Sequence, residues 1–326
     1  MLAARRGRFR LHGDASLSRR PMKRVTELLS HMGARFEGGD GLPLIVHGGD
    51  LRAANLSTAV ASAQVKSALI LAALQASGTS VIEEPAASRD HTERMLAAMG
   101  APLQTEGARV VRVTGGNAAL SPLDLDVPGD PSSAAFAIAL ACLRPGSQVT
   151  VENLSLNPRR LGFYRLLSRM GARIEFARTQ ETPEQIGFIT AIGSRLHGIQ
   201  VEPEEIVDAI DELPLLATVA AAATGPTTIR GAAELRHKES DRITSTVAML
   251  RAFGAVIDEL PDGFEISGDT AFVPAHVDAH SDHRIAMSAT IAAALAPEPS
   301  TLHGSEWVRI SYPGFFDDLA RLSAGD

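Results

Sequence analysis

Two patterns of apolar residues alternate along the chain. In the first, apolar side chains recur every three or four positions and mark one buried face of a helix, as at Ile243, Val247, Leu250 and Phe253. Such stretches end at Met32-Gly33-Ala34, Met99-Gly100-Ala101, Met170-Gly171-Ala172 and Phe253-Gly254-Ala255. Glycine stops a helix there because it enters the left-handed region without steric cost. Each stop leads into a short alternating stretch (Arg35-Phe36-Glu37, Pro102-Leu103-Gln104, Arg173-Ile174-Glu175, Val256-Ile257-Asp258). A second run follows, such as Val110-Val111-Arg112-Val113 or Gly263-Phe264-Glu265-Ile266, and the pair reads as a hairpin. In the second pattern the helix is Ala-rich and apolar nearly all round, so it belongs in the interior. Its copies begin near Ser62, Asp130, Asp211 and Asp282. Asp130-Pro131 joins a capping carboxylate to a proline that leaves no donor unpaired. Each copy runs through a Gly or Pro turn into a strand, as at Gly78-Thr79-Ser80-Val81-Ile82.

The patterns assemble into one repeating unit: strand, buried helix, strand, amphipathic helix, then two strands (βαβαββ). One such unit cannot close a core alone, so several must pack together. The expected class is α/β, an α+β repeat with buried helices inside and sheets outside. The chain opens on what should be the unit's middle strand, Arg8-Phe9-Arg10-Leu11, and closes on an amphipathic helix near Phe315 to Leu322. The expectation is therefore an incomplete first domain, residues 1–125, with its first unit missing. Residues 126–326 are expected to form a nearly complete second domain of three units.

Composition narrows the class. With 45% hydrophobic and 21% charged residues the chain should be globular rather than disordered. A net charge of −7 without a basic tract argues against nucleic acid as a partner, though a few converging arginines can still hold a small anion. No stretch has the run of about 18 charge-free apolar residues that a membrane span needs. A soluble, cytoplasmic protein is expected. The one cysteine, Cys142, sits in the apolar run Ala139-Leu140-Ala141-Cys142-Leu143 and reads as core filler.

The candidate chemistry gathers at helix starts. Lys238-Glu239-Ser240-Asp241-Arg242 immediately precedes an amphipathic helix. Two readings stand side by side: a solvated helix start in which Asp241 caps and Glu239 pairs with Arg242, or an anion site built on unpaired N–H groups and cations. Arg20, Arg89, Arg160 and Arg242 all precede amphipathic helices. The buried helices begin Ser62-Ala63-Gln64-Val65-Lys66, Asp211-Glu212 and Asp282-His283-Arg284. Equivalent units would bring several of these starts to one edge, lined with N–H groups, arginines and a few carboxylates, which suits a substrate of several negative charges. His280, Asp282 and His283 lack metal-ligand spacing, and neither Gly38-Gly39 nor Gly115-Gly116 has the form of a phosphate loop. No metal and no cofactor is expected.

Several stretches, in order and over almost the whole chain, together resemble the 5-enolpyruvylshikimate-3-phosphate synthase family. They are Ser62-Ala63-Gln64, Arg89-Asp90-His91-Thr92-Glu93, Gly129-Asp130-Pro131-Ser132-Ser133, Lys238-Glu239-Ser240-Asp241-Arg242 and Asp282-His283-Arg284-Ile285-Ala286-Met287. The resemblance implies the two-domain enolpyruvyl transferase-like fold, with three units per domain and the substrates held where the domains face each other. It implies transfer of the enolpyruvyl group from phosphoenolpyruvate to the 5-hydroxyl of 3-phosphoshikimate, with release of phosphate, in chorismate and aromatic amino acid biosynthesis. By position, it implies that Arg20, Arg242 and Arg284 bind phosphoenolpyruvate. Ser62, Ala63, Gln64, Arg89, Asp211 and Lys238 would bind 3-phosphoshikimate, and Asp211, Glu239 and Lys238 would move protons. A monomer is expected.

Two features depart from the family. Its early Lys-Ser…Arg motif has no counterpart in this sequence, and Ile310 stands where a lysine is usual near the family's C-terminus. Impaired turnover is expected on that account. Two rivals remain: the enolpyruvyl transferase acting on UDP-N-acetylglucosamine, whose loop cysteine or aspartate Cys142 would not supply, and a non-catalytic anion-binding remnant.

Overall fold

The computed structural model describes residues 1–15, 17–116 and 119–324, residue 324 by its backbone only. The chain divides into two compact units, Met1–Asp126 and Val127–Asp326.

The first unit runs β1 (Gly7–Leu11), α1 (Lys23–His31), β2 (Arg35–Glu37), β3 (Leu44–Gly48), β4 (Asn55–Ser57), α2 (Ala63–Ala73), β5 (Thr79–Glu83), α3 (His91–Ala98), β6 (Leu103–Glu106) and β7 (Val110–Thr114). Its sheets have the orders β1-β3-β2 and β4-β5-β7-β6. β4 and β5 are parallel, and the other pairs are antiparallel. The four-stranded order is the complete repeat, and β1-β3-β2 reproduces its last three positions. α2 buries Val65, Leu69, Ile70, Ala72 and Ala73 against Ile82, Val111 and Val113, which form this unit's own core.

The second unit runs α4 (Pro131–Leu143), β8 (Gln148–Ser155), α5 (Gly162–Arg169), β9 (Arg173–Gln180), β10 (Ile186–Ile192), β11 (Gln200–Val201), α6 (Pro203–Ala209), α7 (Leu213–Ala222), β12 (Thr227–Ile229), α8 (Arg242–Ala252), β13 (Ile257–Leu260), β14 (Gly263–Ile266), β15 (His276–Asp278), α9 (His283–Ala293), β16 (Thr301–His303) and α10 (Phe315–Ala324). The order β11-β12-β14-β13 repeats that of the first unit. β8-β10-β9 does so with an isolated parallel bridge, Gly129 to Leu154, in place of its leading strand. Alternation fixes the register: Phe264 and Ile266 of β14 are buried while Glu265 between them is exposed. The Ala-rich helices α4, α7 and α9 contribute most of their residues to the core.

All four helix stops carry glycine at positive φ: Gly33 (100°), Gly100 (78°), Gly171 (97°) and Gly254 (90°). Ser62, Asp130 and Asp282 cap buried helices as expected. The third buried helix differs. Asp211 lies in a 3-10 turn, Ile210–Glu212, and α7 begins at Leu213 with Pro214 in its first turn. A short extra helix, α6, precedes that turn. Pro203 opens it, and Glu202 and Glu205 close a reciprocal capping box.

Candidate active site

In the second unit, four helix starts are tied together by side chains. The Asp130 carboxylate accepts the Ser132 N–H at 3.2 Å at the start of α4, and Arg160 pairs with the same carboxylate. The buried Tyr164 hydroxyl on α5 donates to the Pro131 carbonyl at 2.6 Å and holds that start in place. Arg284 on α9 reaches back to the Ser132 carbonyl and to Glu212 at the head of α7, both at 3.4 Å. Asp241 caps α8 by accepting the Ile243 and Thr244 N–H groups at 3.1 and 3.2 Å. Asp282 caps α9 through the Arg284 N–H at 2.8 Å.

Arg242, with its side chain 2% exposed, joins α8 to α9. Its Nε donates to Asp282 Oδ2 at 2.8 Å, and one terminal nitrogen donates to Glu239 Oε2 at 2.7 Å. The other faces Asp211 Oδ1 at 3.5 Å. Lys238 Nζ lies 3.6 Å from the same Asp211 oxygen, and Ser240 Oγ donates to Asp282 at 3.1 Å. Burial opposes the charged guanidinium, but Asp282, Glu239 and Asp211 outweigh it and raise the Arg242 pKa further. Burial would likewise raise Asp282, but the Arg242 charge and hydrogen bond hold its carboxyl below the usual range. Of the two sequence readings of 238–242, the Asp241 cap and the Glu239–Arg242 pair are present, but the helix start is not solvated: Arg242 is buried, and the pair belongs to a larger charged cluster. That cluster holds three cations (Lys238, Arg242, Arg284) and four carboxylates (Asp211, Glu212, Glu239, Asp282).

In the first unit, Ser62 caps α2, its hydroxyl accepting the Val65 N–H at 3.5 Å. The N–H groups of Ala63 and Gln64 fall in the first helical turn, which has no intrahelical acceptors. Gln64 is exposed and Arg89 half-buried. Between them lies a buried ion cluster: Lys66 Nζ is 2.9 Å from Glu84 Oε2 and 2.8 Å from Glu93 Oε1. Arg20 is exposed, just after the 3-10 turn Leu17–Arg19 and before α1.

The structure therefore brings Asp211, Lys238, Glu239, Arg242 and Arg284 into one cluster, and sets Ser62 and Arg89 on either side of another. Sequence reasoning named Lys66 and Glu212 within the polar helix starts but gave them no role, and it missed Glu84 and the pairing role of Asp282. Lys66 had a signal, a lone charge amid the apolar α2. Asp282 had none, because it meets Arg242 across 40 residues of chain. Cys142 is fully buried, and burial pushes its thiol up to about 12. A cavity of about 370 Å³ lined by Phe253, Val277, Ala289, Leu302 and Phe316 contains none of the expected site residues. Among the described residues, no group of His, Cys, Asp or Glu is arranged to hold a metal ion.

Comparisons with known proteins show an enolpyruvyl transferase fold and its family. A family model, EPSP synthase (3-phosphoshikimate 1-carboxyvinyltransferase), matches residues 1–319, and this chain belongs to that family. A 3-phosphoshikimate 1-carboxyvinyltransferase of Synechococcus sp. (strain JA-3-3Ab) is 45% identical over 99% of this chain and 74% of its own length. That of Roseiflexus castenholzii is 46% identical over 99% of the chain and 76% of its own length. The solved EPSP synthase of Acinetobacter baumannii superposes with a TM-score of 0.87 at 38% identity, covering 98% of this chain and 75% of that one. The enolpyruvyl transferase NikO of Streptomyces tendae shares the fold, with a TM-score of 0.79 at 20% identity over 98% of this chain and 73% of its own.

Proposed function

We propose that this chain transfers the enolpyruvyl group of phosphoenolpyruvate to the 5-hydroxyl of 3-phosphoshikimate, releasing phosphate, as a step of chorismate and aromatic amino acid biosynthesis. The observation that carries this reading is the convergence of Asp211, Lys238, Glu239, Arg242 and Arg284 at neighbouring helix starts.

The reaction needs a base for the 5-hydroxyl, an acid that protonates C3 of the enol and later takes that proton back, and fixed cations for phosphate and carboxylate. In this reading Asp211 receives the hydroxyl proton, and Lys238, 3.6 Å away, offsets the charge. Glu239 is the acid at C3. Arg242, which donates to Glu239 at 2.7 Å, offers its guanidinium to phosphoenolpyruvate. Arg284 and Arg20 complete its binding set. Ser62, Ala63, Gln64 and Arg89 bind 3-phosphoshikimate, with first-turn N–H groups directed at its anionic group. In this reading residues 1–125 and 126–326 are two substrate-binding domains. The chain acts as a monomer in the cytoplasm. No described helix is long and apolar enough to cross a membrane.

Phosphate release from phosphoenolpyruvate in the presence of 3-phosphoshikimate tests the reading. Release with UDP-N-acetylglucosamine but not with 3-phosphoshikimate overturns it. Binding of either anion without any release supports the non-catalytic alternative. Turnover within about tenfold of a longer relative would remove the impairment expected from the absent Lys-Ser…Arg motif.

A further inference from the structure

We infer that Lys66 is a positioning residue: with Glu84 and Glu93 it locks the start of α2 to the segment carrying Arg89, and so sets the geometry of 3-phosphoshikimate binding. The inference rests on the reading above for the identity of the ligand.

Lys66 is 2% exposed, Glu84 0% and Glu93 5%, so one ammonium and two carboxylates are buried together. A buried lysine is costly unless paired and hydrogen-bonded. Here each contact reaches one of the two binding stretches. Glu84 takes the Lys66 ammonium on Oε2 and the Ser62 N–H on Oε1 at 3.0 Å, at the residue that caps α2. The Ser88 hydroxyl donates to both Glu84 oxygens at 2.8 Å, immediately before Arg89. Lys66 Nζ also donates to the Ser88 carbonyl at 3.5 Å. Glu93 carries the link into α3, where Ser67 and Thr92 hydroxyls meet at 2.6 Å. Neither ligand stretch can shift relative to the other without breaking a buried charge contact. Lys66 is buried, so it acts through its neighbours rather than by touching substrate.

The test uses the full chain. Lys66→Met keeps the length and removes the charge. Lys66→Met combined with Glu93→Gln removes one of the carboxylates left without a counter-charge, should the single variant not fold. Val113→Ala, a core truncation on β7, is a control that loses stability without touching the network. Calorimetry with 3-phosphoshikimate should show at least a tenfold weaker Kd for whichever Lys66 variant folds, and a Kd within about twofold of the parent for Val113→Ala. Amide exchange at Ser62–Val65 and Ser88–Asp90 should accelerate in the Lys66 variant alone. Unchanged affinity, or unchanged exchange in both stretches, overturns the inference. A parent chain without affinity for 3-phosphoshikimate overturns the ligand assignment instead, while exchange still decides whether Lys66 positions these stretches.

Discussion

Asp282 governs the charged groups around it. It caps α9, receives Arg242 and Ser240, and is fully buried. Asp282→Asn preserves the cap and the shape but withdraws the charge that offsets a buried guanidinium. Breaking one partner of such a pair costs about 3–5 kcal/mol, and Glu239 and Asp211 should hold the loss near the lower figure. Urea denaturation of the variant measures it, and a loss under about 1 kcal/mol would mean that the other carboxylates suffice. Acid should act on the same corner. Burial, with Arg284 beside it, holds the His283 imidazole below its usual range, and Asp282 is also depressed. Both groups bind protons more readily in the unfolded chain. Their stabilisation is therefore complete above about pH 6.5, declines as His283 takes up a proton, and declines again below about pH 4. Denaturation midpoints followed downward from neutral pH should show the two steps, and His283→Gln should abolish the first. A first step that survives the substitution belongs to another group.

Among the elements, what is decided locally was legible in the chain and what is decided by packing was not. Glycine stops and Asp or Ser caps act within a few residues, so Gly33, Gly100, Gly171, Gly254, Asp130 and Asp282 announce their helix ends. The α7 start expected near Asp211 falls two residues later, at Leu213, because a 3-10 turn over Ile210–Glu212 intervenes. α6 was overlooked although Glu202-Pro203-Glu204-Glu205 holds a proline start and a capping box. The site residues follow the same division. The 238–242 cluster is contiguous and readable, whereas its link to Asp282 depends on α8 lying beside α9. One close approach between elements is equally hidden: a Cβ on Gly162, at the head of α5, would lie 2.4 Å from the backbone carbonyl of Asp208 at the end of α6. Gly162→Ala should cost about 1–3 kcal/mol through that clash. Gly39→Ala, with nothing within 4 Å and an ordinary φ, should stay within about 0.5 kcal/mol. Equal thermal shifts for the two would show that α5 and α6 part easily.

At the scale of the whole molecule, the repeat is the dominant fact. The same strand order recurs in β4-β5-β7-β6 and β11-β12-β14-β13, and each unit has its own apolar core. The spectroscopic and labelling reporters do not share this even distribution. Trp307, Tyr164, Tyr312 and Cys142 all fall after residue 127, in the second unit. Tryptophan emission, tyrosine absorbance and thiol labelling therefore all watch the same half, and the thiol, held up near 12 inside α4, is modified only when that half opens. Melting of the first half is optically silent to these three reporters, and only a backbone signal such as circular dichroism registers it.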